Sequence, residues 1–409
     1  MAHLAINGGK KACNYEWPRW PIWGEEERQA LTGVLESGEW WYGKKVKEFE
    51  ERFAAFQGAR YGIACSSGTT ALEAALLGLG VGAGDEVIVP PYTFIATVSA
   101  VLRVNAVPVF ADIEPDTLCL DPADVERKIT PRTKAILPVH VAGYIADMDR
   151  LGAIARTRNL AILEDACHAW GSQWRGKGAG ALGNCGAFSF QLSKNITSGE
   201  GGIILTDDPE LADLCRSYTN CGRGKDKPWY QHFLAGSNLR LTEFQAAILL
   251  AQLTRLEEQT LRRQANAEIL TRGLRQIPGL ITLRDEPRMT RRSYHFYPFR
   301  LDTERLGIPR SRFLQALSAE GVPAWEGWPY PLYANPLFER KGEGPEYCPL
   351  SCPYYGQKVD YSTTHCPVCE QVCADAVWIP HPVLLADEKA MQAVVAAVEK
   401  VCIYAKEVS

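Results

Sequence analysis

Between residues 60 and 206, short apolar runs alternate with helical patterns, and this alternation constrains the fold more than any other feature. Runs of strand length include Tyr61–Cys65, Val107–Ala111 and Ala161–Leu163, and helical stretches such as Ile95–Arg103 lie between them. Strands that alternate with helices form βαβ units, whose sheet is mostly parallel and covered on both faces. The sequence therefore predicts an α/β fold with a mostly parallel sheet between helices.

The length of the chain and its linking helix predict two domains. With 409 residues, of which 46% are hydrophobic and 22% charged, the chain can bury a large core. We expect an extended N-terminal arm over residues 1–24, a large domain over 25–262 and a smaller domain over 263–409. The pattern Leu241–Ile277 contains no proline and predicts one long helix that joins the two domains.

Several other classes of protein are disfavoured by composition. A formal net charge of −4 does not indicate nucleic-acid binding. The apolar stretches are far shorter than the roughly 20 residues of a membrane helix, and Met1–Lys10 has no signal-peptide core. The 13 cysteines are too few for a disulfide scaffold. We therefore expect a cytoplasmic protein that binds neither nucleic acid nor membrane.

Three segments can carry chemistry. Ser67–Thr70 follows a strand and opens a helix, where free N–H groups bind anions, although a plain helix cap is the alternative. Asp165 ends a strand, at the edge of the sheet where ligands bind, and either pairs with a cationic ligand or caps the next helix. Lys194 lies in a small, polar loop flanked by glycines, where a partly desolvated lysine can form a Schiff base. A solvated surface lysine is the alternative.

In this order the motifs resemble those of the fold-type I pyridoxal-phosphate enzymes and, within them, the DegT-type sugar aminotransferase family. The resemblance extends over nearly the whole chain and is most specific in Ser66–Leu72, Val89–Thr97, Pro138–His140, Glu164–Gly171, Ala187–Gly202 and Gly236–Ala247. It implies a large domain with a mostly parallel seven-stranded sheet and a smaller α+β C-terminal domain. It also implies pyridoxal 5′-phosphate as cofactor and a homodimer with shared active sites.

Roles for individual residues follow from the same resemblance. Lys194 corresponds to the lysine that binds the cofactor covalently and moves a proton, and Asp165 to the carboxylate that pairs with the pyridinium nitrogen. Phe94 corresponds to the aromatic residue that stacks on the cofactor, and Asn238 to an asparagine supplied by the partner subunit. The phosphate would be held by Gly68, Thr69, Thr70 and Ser189. The expected substrate contacts are Tyr92, which is also a second stacking candidate, His140, Arg240 and His381.

His168 is a departure from the family pattern, which usually has glutamine at this position. A histidine nitrogen can still donate to the ring hydroxyl of the cofactor. We therefore expect the cofactor still to bind, and we expect the pKa of its linkage to the lysine to differ from that in other members of the family.

Five cysteines lie in a loop rich in proline and cysteine over about residues 326–376. The spacing of Cys348, Cys352, Cys366, Cys369 and Cys373 is compatible with a zinc site. Proline follows three of the five, and a cyclitol-specific subgroup of the family has a similar Cys-Pro loop. We therefore expect a loop that covers the substrate, and no bound metal.

Together these features predict a pyridoxal-phosphate-dependent transaminase of the EC 2.6.1 class. It would move an amino group from glutamine or glutamate to a keto-cyclitol resembling scyllo-inosose, or to a keto sugar, in antibiotic or polysaccharide biosynthesis. One alternative acceptor is a nucleotide-linked 3- or 4-keto-6-deoxysugar. Another alternative is a non-catalytic regulator, which would not need the Lys194–Asp165 pair. An NAD-linked enzyme is disfavoured because no strand is followed by Gly-x-Gly-x-x-Gly.

Overall fold

The computed structural model of the chain describes residues 3–339, 349–350 and 352–408. Its helices are α1 (Glu25–Ser37), α2 (Lys44–Gln57), α3 (Gly68–Gly78), α4 (Ile95–Arg103), α5 (Pro122–Lys128), α6 (Met148–Arg158), α7 (Pro209–Thr219), α8 (Glu243–Leu274), α9 (Thr303–Leu306), α10 (Arg310–Ala319), α11 (Pro367–Asp375) and α12 (Glu388–Ile403). Its strands are β1 (Tyr61–Cys65), β2 (Glu86–Val89), β3 (Val107–Phe110), β4 (Thr133–Ile136), β5 (Ala161–Asp165), β6 (Gln173–Trp174), β7 (Lys177–Gly178), β8 (Cys185–Ser189), β9 (Gly202–Thr206), β10 (Leu280–Thr282), β11 (Met289–Arg291), β12 (Phe296–Leu301), β13 (Trp325–Glu326) and β14 (Ala376–Pro380).

A seven-stranded sheet forms the larger layer, in the order β1-β9-β8-β5-β4-β2-β3. The run from β8 to β3 is parallel throughout, whereas β9 is antiparallel to both of its neighbours. Strands β2, β8 and β9 are buried along their whole length because helices such as α2, α3 and α7 pack on the sheet. The predicted α/β architecture with a mostly parallel seven-stranded sheet is confirmed.

A second, antiparallel sheet has the order β10-β12-β14-β13 and packs with α10 and α12 around a separate group of buried side chains. Helix α8 connects the two cores. Leu256 belongs to the core of the large sheet, and Ala267 belongs to the second core. The helix begins at a capping box in which Thr242 accepts from the backbone N–H of Gln245. Residue 262, where the sequence predicts a domain boundary, lies in α8 between Leu256 and Ala267.

The N-terminal arm packs partly on the second core. Leu4 and Cys13 are buried there, and the buried carboxylate of Glu320 accepts hydrogen bonds from the backbone of Ala5 and Ala12. Because these bonds join the start of the chain to α10, the arm is anchored at this end and continues towards the large sheet.

The segment rich in proline and cysteine differs from the expected substrate cover. Its described part packs beside β3, the edge strand of the large sheet: the Tyr361 hydroxyl donates to the carbonyl of Pro108 at 2.7 Å. The backbone of Cys369 donates to Asp112 at 2.9 Å. Covering an edge strand protects its unpaired backbone groups. Among the described residues of this segment, those around Tyr361 and Cys369 therefore cover the sheet edge, and Trp328 near its start lines the cavity described below.

Cys348 lies outside the described residues. Among the residues that are described, no group of three His, Cys, Asp or Glu side chains could hold a metal ion. Within the same residues, no helix is both long enough and apolar enough to cross a bilayer.

Candidate active site

A cavity of about 620 Å³ lies between the large sheet and the second sheet. Its floor is formed by residues that follow β1, β5 and β8, at the strand ends where open α/β sheets bind ligands. The opposite wall comes from β12, β13 and β14 and from the N-terminal arm. The predicted site residues that line it are Gly68, Thr69, Phe94, Asp165, His168, Ser189, Lys194 and His381.

At one end of the cavity lies the N-terminus of α3. Ser67 caps this helix by accepting from Thr70 N–H, and the Thr70 hydroxyl in turn accepts from Ser67 N–H at 3.0 Å. The Thr70 side chain is therefore used within the cap. The first N–H groups of a helix have no partner in the preceding turn, so those of Gly68 and Thr69 can bind an anion.

Gly68 has a geometric reason to be glycine. A Cβ atom at this position would lie 2.7 Å from the Cβ atom of Ser189. The absence of a side chain therefore lets the helix terminus approach the end of β8, and the Ser189 hydroxyl joins the same anion-binding corner.

Asp165 ends β5 and is almost fully buried. Its Oδ2 atom accepts a hydrogen bond from the Thr97 hydroxyl at 2.7 Å, and Oδ1 accepts from the backbone of Cys167 at 3.2 Å. Two carboxylate oxygens can accept about four hydrogen bonds, so Asp165 can still bind a cationic N–H group of a ligand. Sequence reasoning missed Thr97, because nothing in the helix Ile95–Arg103 marks one threonine as a partner of Asp165.

Lys194 lies in the loop after β8, and its backbone N–H donates to the carbonyl of Gln191 at 2.9 Å. Burial lowers the pKa of Lys194 from its usual value, although Cys167 and Asp165 oppose this shift. A lowered pKa increases the neutral fraction of the amine, which is the nucleophilic form. The environment of Lys194 therefore suits it for attack on a carbonyl group.

Three imidazole rings lie side by side along the cavity. The ring centroids of His168 and His295 are 4.3 Å apart, and those of His295 and His381 are 5.6 Å apart. Burial lowers the pKa of all three well below 6.5, so the rings are neutral at pH 7. The buried Nδ1 atom of His168 has no hydrogen-bond partner among the described residues, and a bound ligand could supply one. His295 was missed because nothing in the aromatic pattern of residues 294–300, which predicts a strand, marks this histidine as a cavity residue.

His381 is engaged with the protein at both ring nitrogens. Nε2 lies 3.0 Å from the carbonyl oxygen of Ser193, and Nδ1 lies 3.3 Å from Nη2 of Arg263. The ring lines the cavity but has no nitrogen left for a substrate. This arrangement differs from the expected substrate contact.

Five predicted residues do not line the cavity as far as the chain is described: Thr70, which is used in the cap of α3, and Tyr92, His140, Asn238 and Arg240. His140 is fully buried, and its Nε2 atom lies 2.8 Å from Glu164, which also accepts from three backbone N–H groups of the 180–183 turn. Within the chain His140 therefore has a structural role, because the buried pair of His140 and Glu164 holds β5 against this turn.

Tyr92 is also fully buried, and its ring packs edge-on against Trp328 and Trp378. It supports two cavity-lining residues from behind. Asn238 is exposed, and Arg240 donates to Asn220 at 2.8 Å. Neither of the last two lines the cavity of its own chain as far as the chain is described.

The fold and this site together define an enzyme of the fold-type I class. Residues 21–399 match the DegT/DnrJ/EryC1/StrS aminotransferase family, and the chain belongs to this family. The chain is 40% identical to L-glutamine:2-deoxy-scyllo-inosose aminotransferase of Micromonospora echinospora, over 98% of each protein. It is 39% identical to L-glutamine:scyllo-inosose aminotransferase of Streptomyces griseus, over 99% of each. The crystal structure of 3-amino-5-hydroxybenzoic acid synthase is similar, with a TM-score of 0.84 and 37% identity over 97% of this chain and 100% of that chain.

Aminotransferases of this family depend on pyridoxal 5′-phosphate, and the cavity fits this cofactor. The α3 terminus with Ser189 would hold the phosphate, Asp165 the ring nitrogen, and the unpartnered His168 a polar substituent of the ring. Lys194 would supply the amine for covalent attachment. When bound, the cofactor supplies an electron sink for the transfer of the amino group.

Proposed function

We propose that this aminotransferase uses pyridoxal 5′-phosphate to move the amino group of L-glutamine to a keto-cyclitol of the scyllo-inosose type. The observation that carries the proposal is the similarity to two glutamine-dependent inosose aminotransferases over the whole chain, together with a cavity that contains both Lys194 and Asp165. Glutamate is the alternative donor.

Lys194 would take the proton from the donor carbon and return it to the acceptor carbon. Its lowered pKa increases the fraction of neutral amine that can accept a proton, and Lys194 and Asp165 line the same cavity. Asp165, held by Thr97, would keep a positive charge on the ring nitrogen of the bound cofactor. These two residues account for the proton movement and the charge balance of the reaction.

The wall opposite Lys194 favours a small carbocyclic acceptor. It is largely aromatic, with contributions from Phe296, Trp325, Trp328 and Trp378. The equatorial hydroxyl groups of an inosose leave two apolar C–H faces, which flat aromatic rings cover well. The described lining contains Lys194 as its only lysine or arginine, so a nucleotide diphosphate would find no further fixed cation in this chain's cavity.

A second copy of the chain would complete the site. Large aromatic side chains are exposed near the 221–238 loop and near α2: Trp229 is 74% exposed, Tyr230 75% and Trp41 59%. Exposed apolar groups of this size favour association. We propose a homodimer in which these residues are buried and Asn238 reaches the phosphate end of the partner's cavity. The cytoplasmic location remains a prediction from sequence.

An acceptor panel tests the proposal. The enzyme is first loaded with the amino group by incubation with glutamine or glutamate, freed of donor, and mixed with scyllo-inosose, 2-deoxy-scyllo-inosose or a nucleotide-linked keto sugar. We expect rapid return of the original cofactor spectrum with an inosose. If the spectrum returns only with the nucleotide sugar, the alternative acceptor is favoured over the inosose. If it returns with none of the three compounds, both acceptors are contradicted.

A further inference from the structure

The two carbonyl groups before Lys194 are held by side chains from outside the large sheet. Trp20, in the N-terminal arm, donates its indole N–H to the carbonyl of Leu192 at 2.9 Å. His381, which follows β14, lies with Nε2 at 3.0 Å from the carbonyl of Ser193. Consecutive peptide groups of the Lys194 loop are therefore fixed by two separate parts of the chain.

Arg263 lies beneath both of these side chains. It projects from α8, is fully buried, and its Nη2 atom lies 3.3 Å from Nδ1 of His381. Its guanidinium carbon is 5.7 Å from the centre of the Trp20 ring, and the rings of Trp20 and His381 meet edge-on at 4.6 Å. The three side chains form one contiguous group.

Among the described residues Arg263 has no carboxylate partner: its Nη2 atom contacts Gln259 and His381, and its Nε and Nη1 atoms have no hydrogen bond. Burial lowers its pKa to about 9, so the group is still cationic at neutral pH. A buried cation without a counter-ion is unfavourable for folding. Its presence here suggests a role that a neutral side chain would not fill.

The hydrogen-bonding chemistry fixes the state of the His381 ring. Arginine can only donate, so Nδ1 of His381 must be the acceptor. In a neutral imidazole the other nitrogen then carries the proton, and Nε2–H donates to the carbonyl of Ser193. A cation at Arg263 also disfavours a second proton on the ring. The direction of every bond, from Arg263 to His381 to Ser193, is thus determined.

We propose that Arg263, Trp20 and His381 act as positioning residues that clamp the Leu192–Ser193 peptide and so fix Lys194 in the cavity. The clamp joins the arm, α8 and the end of β14 to the loop after β8. The proposal rests on the proposed function only in taking Lys194 as the reactive amine. It assigns His381 to the protein scaffold of the site.

Nitrogen-15 NMR of the apoprotein tests the state of His381 directly. The assigned ring should show a protonated Nε2 and an unprotonated Nδ1 near pH 7. In Arg263→Met the Nδ1 atom loses its donor, so its nitrogen-15 shift should move to that of an unbonded ring nitrogen, whereas in Arg262→Met, a matched change of the exposed neighbour, it should not change. A protonated Nδ1 in the unaltered protein would overturn the proposal.

Hydrogen–deuterium exchange of the same apoprotein tests the clamp itself. His381→Gln keeps an N–H group at the place of Nε2, and His381→Asn does not. We expect peptides covering residues 191–195 to exchange at the native rate in His381→Gln. In His381→Asn they should exchange about threefold to tenfold faster, which corresponds to the loss of one ordinary hydrogen bond. Equal exchange in the two variants would contradict the clamp.

Trp20→Phe offers a second comparison, since the ring is kept and the N–H group is lost. Its matched control is Trp17→Phe, which loses an indole bond to Gly321 far from the loop. We expect residues 191–195 to exchange faster in Trp20→Phe than in Trp17→Phe. Equal exchange rates at these residues in the two variants would overturn the proposal. Because these measurements need no substrate, a failure to aminate inosose would leave their outcome unchanged.

Discussion

At the scale of single residues, the proposed chemistry depends on an aspartate that is held by hydrogen bonds and has no lysine or arginine partner among the described residues. The Thr97 hydroxyl and the Cys167 backbone orient Asp165 and leave its charge available to the cavity. The sequence motifs identified Asp165, Lys194 and Gly68, because each lies at a fixed place after a strand. They could not identify Thr97 or His295, which reach the site from helix α4 and the start of β12 through tertiary packing alone.

Replacing Asp165 by asparagine should leave cofactor binding detectable and remove most activity. An amide cannot hold a proton on the ring nitrogen by charge, and the expected loss is about 1,000-fold in kcat, roughly 4 kcal/mol of barrier. Steady-state kinetics at saturating substrates would measure it. Asp149→Asn, a change on the surface, is the control, and a turnover near that control would mean that Asp165 has only a structural role.

Thr97 gives a milder test of the same carboxylate. Thr97→Val keeps the shape and removes the hydrogen bond to Asp165, so we expect kcat to fall about fivefold to tenfold, as for the loss of roughly 1 kcal/mol. Thr97→Ser retains the hydroxyl and should recover most of the rate. Equal rates in Thr97→Val and Thr97→Ser would contradict the proposed orienting role.

At the scale of elements, the ends of β5 and β14 and the start of β12 bring together three neutral histidines. Each has a pKa lowered well below 6.5 by burial, with Lys194 as a further cause. His295 also faces His168, His381 and Arg263, which act in the same direction. The site is therefore assembled only when both sheets are packed against each other.

This cluster should make folding sensitive to acid. A histidine with a lowered pKa binds more protons when unfolded, so its contribution to stability is lost as the pH falls below about 6.5, at up to about 1.4 kcal/mol per pH unit for each ring. Nitrogen-15 spectra should show His168, His295 and His381 still neutral at pH 5.5 in the folded protein. A cluster that is charged at this pH would refute the account of its burial.

Local patterns predicted most elements of the large sheet, and their failures have physical reasons. The helix Ile95–Arg103 has the predicted bounds, because an amphipathic run lies between clear breaks. The apolar run over residues 135–140 also predicts a strand, but β4 ends at Ile136, two residues before Pro138, which cannot donate to a ladder. The docking of the cysteine-rich segment on β3 depends on contacts distant in sequence, which no local pattern encodes.

At the scale of the whole molecule, the proposed active sites need two copies of the chain. Lys194→Ala and Asn238→Ala should each be severely impaired, and mixing them should restore part of the activity, because one site of each heterodimer regains both groups. Up to about a quarter of the native activity is expected from random exchange of subunits, by the symmetry of a closed dimer. Activity should be assayed after confirmed subunit exchange, with each variant alone as control. Mixtures that stay inactive would contradict the shared site.

In the proposed reaction Lys194 mediates the transfer of an amino group to a keto-cyclitol. The most direct measurement follows the transferred nitrogen. Glutamine labelled with nitrogen-15 at the α-amino group is incubated with scyllo-inosose, cofactor and enzyme. The mass of the cyclitol product is then measured by mass spectrometry. We predict an amino-cyclitol that carries the label with the native enzyme and no labelled product with Lys194→Ala. An unlabelled cyclitol with the native enzyme, or equal labelling with Lys194→Ala, would contradict the account.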